Sequence, residues 1–509
     1  MGSNPTLSAL TFRNLRLVFF LFIFVNIILC SWWALHNDLL FHTDIARDFL
    51  VLEQIVKTHK PTLIGPKAGG ISGVYHGPLW FYLNLPAFIL GKGDPVVVAW
   101  FWVFLSVISI GITYLVGKKL FDEKIALFAS LLFSVFAISY TKGLTNPFGA
   151  VLFFPVFFYL FKKYISSLNI SYLISALFCI GLIIQFEVAF GLPILILSTI
   201  YLIPFLIKKK KILHFLSYFV LVIPLSTYFV FELRHNFLQS RAVVEFLTTK
   251  QKVGELPLLA IVFTRIRGVL FDGLGLIPKN SFFTLPVTLL FGYIILRWKD
   301  KKIKYKENYF LYFYFYMGFW VIAFFFKGVL QSYYYWPFLP ITLLVFSSTI
   351  DNIDRRIFYA LFIFILVFNF YFGLQSLKRE GPDWRFYQKV AQDMYKDSSK
   401  KEFGYFVYTP DLLGYAEKYS MMYSQRDFPE SKVFPYQKKE SIYLLIAPAP
   451  NDKPYLNGNW WRTHQVKIQN KPVQIFQYAG NYTVEKYVLT KEEIKIPPDP
   501  NLVQDLTFR

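Results

Sequence analysis

Long apolar stretches separated by short polar loops dominate the first 375 residues of the chain. An α-helix needs ~20 residues to cross a bilayer, and most of the stretches approach that length. The pattern predicts about eleven membrane-spanning helices, at residues 15–35, 96–116, 125–141, 147–161, 171–186, 188–207, 212–231, 283–297, 308–326, 336–350 and 356–373. The chain is therefore predicted to contain an all-α polytopic membrane domain.

Three further segments are too polar or too short to cross the bilayer. In residues 44–58, apolar side chains recur at helical spacing from Ile45 to Val56, opposite charged positions. Residues 78–90 (PLWFYLNLPAFIL) form a second short apolar stretch, and 254–275 form a third segment of mixed character. All three are predicted to be amphipathic or apolar helices that lie in the membrane interface on the outer side.

The pattern changes to mixed polar after residue 375. A helical periodicity at 384–396 precedes three strand-like runs, at 403–409, 441–447 and 472–478. We therefore predict two domains, a transmembrane domain at 1–375 and a small extracytoplasmic α/β domain at 376–509.

Composition and charge support this organisation. Of 509 residues, 55% are hydrophobic and 20% are aromatic, which indicates lipid rather than water as the main solvent. When the loops are assigned to alternating sides, the Lys and Arg clusters all fall on one side, which the positive-inside rule makes cytoplasmic. The prediction is a multi-pass protein of the plasma (inner) membrane with a cytoplasmic N-terminus and an extracytoplasmic C-terminal domain. The net charge of +21 is expected to face anionic membrane lipids and not nucleic acid.

The first outer loop carries the strongest chemical signal. Asp44 and Asp48 lie four residues apart and share a helix face, where Arg47 or a bound cation would offset their repulsion. A carboxylate at the lipid–water boundary can take a proton from an attacking hydroxyl, as a general base does. The alternative is a solvated helix face with an Asp44–Arg47 pair.

The rest of this loop is glycine-rich and ends at a histidine. His76 has three interpretations, as a phosphate ligand, a metal ligand or a structural cap. Gly65, Gly69, Gly70 and Gly73 predict a flexible connection, and they do not form a phosphate-binding P-loop because no Gly-Lys-Ser/Thr follows.

Other polar residues gather on the same predicted outer side. Gln185 and Glu187 lie between two spans, where they would orient a ligand or cap a helix. Cations beside aromatic rings suit a lipid phosphate with an isoprenoid chain. The candidates for such contacts are Arg234, His235, Arg265, Arg267, Lys327, Tyr333 and Tyr334. The alternative for each is the ordinary aromatic belt with snorkelling Lys and Arg side chains.

Several motifs together resemble the GT-C superfamily of integral-membrane glycosyltransferases. The resemblance is to the bacterial branch related to protein O-mannosyltransferases and aminoarabinose transferases (family 39-like). It covers roughly the first 375 residues and depends on the order and common side of the motifs. The motifs are HTDIARDF at 42–49, LIGPKAGGISGVYHGPLWFYL, SYTKGLTNPFGAVLFFP, QFE at 185–187, FELRHNF at 231–237 and YYYWPFLP at 333–340.

This resemblance implies an extracytoplasmic active site that uses a polyprenyl-phosphate sugar as donor. Asp44 matches the catalytic carboxylate of the first loop in the relatives. Asn146 falls where the relatives often have an acidic residue and is neutral here. That departure weakens the case for a conserved metal site and leaves Asp48, His76 and Glu187 as metal candidates. No cofactor is assigned, and a divalent cation is left open.

The resulting hypothesis is an inverting hexosyl- or pentosyltransferase that acts at the outer face of the membrane, with Asp44 as the catalytic carboxylate. The acceptor, whether glycan, lipid or protein, is not identified. The first alternative is a transporter or flippase for a lipid-linked sugar, although transporters usually place ionisable residues near the bilayer midplane. The second alternative is a non-catalytic membrane sensor.

Overall fold

A computed structural model gives the fold and describes residues 5–248, 257–276, 281–297, 299–379, 381–399, 401–502 and 504–506. The α-helices of these residues, in chain order, are α1 Pro5–Cys30, α2 Trp32–Leu35, α3 Thr43–Thr58, α4 Leu79–Leu90, α5 Pro95–Leu120, α6 Glu123–Tyr140, α7 Pro147–Ser167, α8 Ile170–Phe186, α9 Val188–Lys208, α10 Ser226–Arg234, α11 Leu238–Thr248, α12 Leu258–Leu270, α13 Leu285–Leu296, α14 Lys306–Ala323, α15 Leu339–Ser348, α16 Arg355–Gln375, α17 Trp384–Asp397, α18 Tyr415–Ser424 and α19 Lys491–Lys495. The strands are β1 Phe403–Tyr408, β2 Val433–Pro435, β3 Ser441–Ile446, β4 Gln474–Gln477 and β5 Thr483–Val488.

The chain is a multi-pass membrane protein. Within the described ranges, five helices are long and apolar enough to cross a bilayer, namely α5, α6, α7, α9 and α16. Shorter apolar helices lie at other predicted spans, including α8 and α13. The count of eleven spans therefore stays a prediction.

The segment predicted as a span at 212–231 contains a sharp bend, and its crossing of the membrane stays a prediction. A 3₁₀ segment at Ile212–Val222 and α10 meet at a 67° bend. Pro224 lies at the break, where it supplies no N–H donor and its ring excludes a regular helix. The Nε2 of Gln185 donates to the Pro224 carbonyl at 2.7 Å. The break is thereby hydrogen-bonded to the last turn of α8.

The segments at 44–58 and 78–90 are helical as predicted, at α3 and α4. The described part of the 254–275 segment contains α12, while 254–256 lie outside the described residues. In α3, the His42 imidazole caps the N-terminus by accepting from the Asp44 N–H at 3.2 Å. An acidic residue in the first turn also complements the helix dipole.

The residues divide into two compact units. The first unit comprises Met1–Trp32, Pro61–Asn84 and Phe101–Lys378, and the second comprises Trp33–Lys60, Leu85–Trp100 and Arg379–Arg509. The domain boundary predicted at 375–376 stays a prediction.

The first unit is organised around α6. Its side chains from Ile125 to Ile138 are all buried, as expected for a helix that is apolar on every side. Helices α1, α15 and α16 pack against it, and α7 packs along α8. Aromatic side chains fill much of the space between the helices; for example, Phe154 meets Phe190 and Phe338 with ring centroids 5.0 and 5.2 Å apart.

The second unit is built on a five-stranded mixed sheet of order β2-β1-β3-β5-β4. Strand β1 is parallel to β2 and β3, whereas β5 is antiparallel to β3 and β4. Helix α17 packs against α18, and α18 packs against α3. The first-loop helix therefore belongs to the same compact unit as the sheet.

Candidate functional site

Asp44, Arg47 and Asp48 form one ion-paired cluster on α3. The Arg47 guanidinium donates to Asp44 Oδ1 at 2.7 Å, and its Nε and second terminal nitrogen donate to Asp48 Oδ1 at 3.0 and 2.8 Å. The Asp44 side chain is 60% exposed, whereas those of Arg47 and Asp48 are 13% and 7% exposed. The cluster is therefore a buried Asp–Arg pair that holds an accessible carboxylate.

The two carboxylates keep the Arg47 guanidinium in its charged form. Burial opposes the charged form of Arg47, but the Asp48 and Asp44 carboxylates together raise its pKa above the usual value. Burial lowers the pKa of His42, and the neutral imidazole suits its role as the acceptor that caps α3. Asp44 is thus oriented by the permanently charged guanidinium of Arg47, and this contact restricts the rotation of the Asp44 side chain.

The start of α3 is also fixed to the sheet side of the second unit. The Thr43 hydroxyl donates to Asp411 Oδ2 at 2.7 Å, in the turn that follows β1. Asp411 further accepts from the backbone N–H of Leu413 at 3.0 Å. The sequence analysis missed Asp411, because a lone aspartate in a turn gives no signal of a partner 368 positions away.

A second polar cluster lies in the first unit at the turn between α8 and α9. Glu187 is fully buried and caps α9, because its Oε1 accepts from the Ala189 N–H at 3.2 Å. The Nδ1 of His76 accepts from the Val188 N–H at 3.3 Å and lies 3.9 Å from Glu187 Oε1. The capping role predicted for Glu187 is thus observed, together with a histidine neighbour.

The glycine-rich segment before His76 folds back on itself as a short hairpin, and its predicted flexibility stays a prediction. Hydrogen bonds join Gly65 N to His76 O at 2.7 Å and His76 N to Pro66 O at 2.9 Å. A Cβ on Gly65 would lie 2.2 Å from the carbonyl oxygen of Gly77. Glycine is needed at this position because the two backbone segments approach closely.

Neighbouring elements of the first unit fasten this hairpin. Gly77 N donates to the Gln185 carbonyl at 2.9 Å, and the Tyr334 hydroxyl donates to the Gly69 carbonyl. Tyr333 lies beside Tyr334 with ring centroids 4.8 Å apart. Asn146 is part of the same region, because its Nδ2 donates to the Phe186 carbonyl at 2.7 Å at the end of α8.

The metal candidates are divided between the units. His76 and Glu187 form a pair in the first unit, and Asp48 belongs to the Arg47 cluster of the second. No group of three or more His, Cys, Asp or Glu side chains in the described part of the chain is placed to hold a metal ion.

Burial raises the pKa of Glu187 to about 8. For an acid, a raised folded-state pKa means that stability falls as pH rises from about 4.5 to about 8, because only the unfolded chain then releases the proton freely. We expect Glu187→Gln to remove this loss, so that it unfolds at a higher temperature than the wild type at pH 9 and at a similar temperature at pH 5. The expected gain at pH 9 is on the order of a few kcal/mol.

Thermal unfolding in detergent between pH 5 and pH 9 measures this difference. Glu245→Gln, on an exposed position of α11, is the matched control and should follow the wild-type profile. Parallel pH profiles for Glu187→Gln and the wild type would contradict the assignment of a buried, protonated Glu187.

The basic side chains that were predicted to contact a lipid phosphate lie in different environments. Arg265 is 1% exposed, and its guanidinium donates to the carbonyls of Ala323, Phe326 and Gly328, at the end of α14 and just beyond it, at 3.1, 2.8 and 2.8 Å. This arrangement supports a structural role, because these donors neutralise the carbonyl end of the helix. Arg234 is exposed at the end of α10 and Lys327 is half-buried.

His235 follows Arg234 on the same exposed stretch. Its ring stacks on Phe231 with centroids 4.1 Å apart, and its Nδ1 lies 2.8 Å from the Phe231 carbonyl.

Arg267 lines a cavity of about 520 Å³ in the first unit. The Nε of Arg267 pairs with Asp272 Oδ2 at 3.2 Å. The remainder of the wall is mostly apolar and aromatic, with Phe133, Phe136, Tyr140, Phe148, Val151, Phe271, Tyr335, Trp336 and Leu339. The cavity thus combines an apolar interior with one ion pair, and its size is typical of small-molecule sites.

The fold can be compared with that of solved proteins. It resembles the crystal structure of ArnT from Cupriavidus metallidurans bound to undecaprenyl phosphate, with a TM-score of 0.55 and 12% identity over 92% of this chain and 97% of that chain. The apo structure of the same protein matches with a TM-score of 0.55 and 10% identity over the same shares. The chain has the fold of ArnT. The mostly helical membrane fold predicted from the sequence is thereby confirmed.

A further solved structure is less similar to this chain. An oligosaccharyltransferase from Archaeoglobus fulgidus, in complex with Zn and sulfate, matches with a TM-score of 0.45 and 13% identity, covering 91% of this chain and 72% of that chain. No protein-family model and no curated protein sequence matches the chain. At these identities the ArnT likeness establishes the fold, and the chemistry has to be argued from the residues of this chain.

Proposed function

We propose that this protein is a membrane glycosyltransferase that moves one sugar from a polyprenyl-phosphate donor to an acceptor hydroxyl at the outer face of the membrane. The observation that carries the proposal is the cavity around Arg267, in a chain that has the fold of ArnT. An aromatic interior matches an isoprenoid chain, and a guanidinium at the wall matches its phosphate. The solved ArnT structure is bound to undecaprenyl phosphate.

Asp44 is the proposed catalytic carboxylate. The acceptor oxygen attacks the anomeric carbon while its proton passes to Asp44, and the bond from that carbon to the phosphate oxygen breaks. Polyprenyl phosphate leaves with the electron pair, and the single displacement inverts the anomeric centre. Asp44 suits this role because it is accessible and because Arg47 and Asp48 hold its orientation.

The leaving group gains negative charge as the bond breaks, and a fixed cation stabilises it. We assign this role to Arg267, whose side chain is 55% exposed and lines the cavity. Arg265 is assigned a structural role instead, because its donors are bound to backbone carbonyls.

We expect Arg267→Gln to weaken the binding of polyprenyl phosphate about tenfold, since it removes a charge-assisted hydrogen bond. Asp272→Asn should leave the affinity unchanged or increase it, because the substitution removes a carboxylate that competes for Arg267 and repels phosphate. Equilibrium binding to the purified protein in detergent, followed by intrinsic fluorescence, measures both effects.

Arg356→Gln, on an exposed position of α16, is the control and should bind like the wild type. Equal affinity of the Arg267→Gln and wild-type proteins would rule out this cavity as the phosphate site.

A further inference from the structure

A second cavity lies in the second unit, at the N-terminal end of α17. Its volume is about 710 Å³, and we call it the basic groove. Its wall consists of Arg379, Gly381, Pro382, Asp383, Arg385, Phe386, Gln388, Lys389, Gln392, Ala479 and Gly480, while Glu380 lies outside the described residues.

One face of α17 supplies most of the polar wall. Arg385, Gln388, Lys389 and Gln392 follow the i, i+3, i+4, i+7 spacing and therefore share that face. The opposite face packs into the core of the unit through side chains such as Val390 and Met394. A solvated helix face would show the same pattern, but here the turn at Ala479–Gly480 supplies a second wall, so that the helix face lines an open groove.

The groove carries excess positive charge. Arg379 is engaged with Asp38 Oδ2 at 3.2 Å and with Asp383 Oδ2 at 3.7 Å. Arg385 and Lys389, in contrast, have no ion pair with a carboxylate in the described part of the chain. Burial, and then the Asp383 carboxylate, raise the pKa of Asp38 to about 7, so this acidic pair holds less than two negative charges at neutral pH.

The groove is fastened to the segment that leads into α3. Arg385 NH1 donates to the His36 carbonyl at 3.3 Å, and the Trp384 N–H donates to the Leu39 carbonyl at 3.2 Å. Leu40 forms an isolated antiparallel bridge with Asp383. Since Leu40 and Asp44 are four residues apart, at most ~14 Å separates the Cα atom of Leu40, which is bridged to the wall residue Asp383, from that of Asp44.

We propose that the basic groove binds the anionic part of the acceptor, a glycan that carries phosphate or carboxylate groups. The inference rests on the proposed glycosyl transfer and extends it to the class of acceptor. Arg385 and Lys389 recognise the anionic group, the glutamine amides bind sugar hydroxyls, and the short connection through Leu40 places a neighbouring hydroxyl within range of Asp44.

The test is a binding titration of the full chain, carrying Asp44→Asn and reconstituted in nanodiscs of neutral phosphatidylcholine. The probes are a trisaccharide with one phosphate monoester, the same trisaccharide without it, and inorganic phosphate. The Asp44→Asn background separates binding from transfer, so a failure of the glycosyltransferase proposal leaves the result of this titration intact. The groove variants are Arg385→Gln/Lys389→Gln and Lys389→Gln alone, which alters only an exposed side chain.

The phosphorylated trisaccharide is expected to bind at least tenfold more tightly than either other probe. Arg385→Gln/Lys389→Gln should weaken that binding at least tenfold, and Lys389→Gln should weaken it by a smaller factor. Lys396→Gln/Lys491→Gln removes two exposed cations of the same unit and should stay within twofold of the parent.

Three outcomes would overturn the proposal. The first is unchanged affinity in both groove variants, and the second is equal affinity of the parent for inorganic phosphate and the phosphorylated glycan. The third is an effect of the variants that appears only on binding to phosphatidylglycerol vesicles, which would make the groove a membrane contact.

Discussion

The Asp44→Asn protein is expected to fold like the wild type and to transfer sugar about 1,000-fold more slowly, which lies within the usual contribution of a general base. An asparagine side chain has nearly the same shape, and its amide oxygen still accepts from Arg47. The substitution therefore preserves the contacts of the cluster and removes only the group that takes the proton. Transfer rates and thermal unfolding of the purified variant in detergent measure the two expectations separately.

Two matched variants sharpen this prediction. Asp452→Asn changes an exposed aspartate in a loop of the same unit and should leave the rate unchanged. Asp48→Asn should lower the rate by a smaller factor than Asp44→Asn, because it weakens the hold on Arg47 without removing the base. Near-normal turnover of Asp44→Asn would remove Asp44 from the chemistry.

Gly65→Ala is expected to lower the free energy of unfolding by ~3 kcal/mol or more. The added Cβ would lie 2.2 Å from the Gly77 carbonyl oxygen and 3.2 Å from that of His76. These are backbone atoms, so no side-chain rotation relieves the clash. The hairpin has to open, and His76 then moves away from the α8–α9 turn.

Thermal unfolding of the purified variant in detergent tests this expectation. Gly111→Ala is the control, because nothing lies within 4 Å of a Cβ at that helical position. That substitution should be neutral or slightly stabilising, as alanine favours the helix. An unfolding temperature for Gly65→Ala equal to that of the control would show that the hairpin is not packed as described.

Much of the fold is predictable from the sequence, because apolar periodicity determines which segments are helical. The position and amphipathic character of α3 follow from the spacing of Ile45 to Val56, and the first-loop acidic motif follows from its composition. Strand β5 is not predicted, because Glu485 and Lys486 interrupt its apolar pattern. It lies inside the sheet between β3 and β4, where long-range pairing stabilises it.

The details of the site depend on contacts between distant residues and are not predictable from spacing. Asp44 and Asp48 share a helix face, yet only Asp44 is accessible, because the packing of α3 in the second unit determines its rotation. The hydrogen bond from the Gln185 side chain to the Pro224 carbonyl likewise joins α8 to the break before α10. The glycines before His76 give the same sequence signal for a flexible loop and for a tightly bonded hairpin.

The most direct measurement follows a radiolabelled sugar on polyprenyl phosphate, supplied to the purified wild-type protein in proteoliposomes together with membranes as the source of acceptor. We expect the label to leave the lipid and to appear on an acceptor, with release of one polyprenyl phosphate per sugar. Label that stays on the polyprenyl carrier while it crosses the bilayer would contradict the account and indicate a flippase.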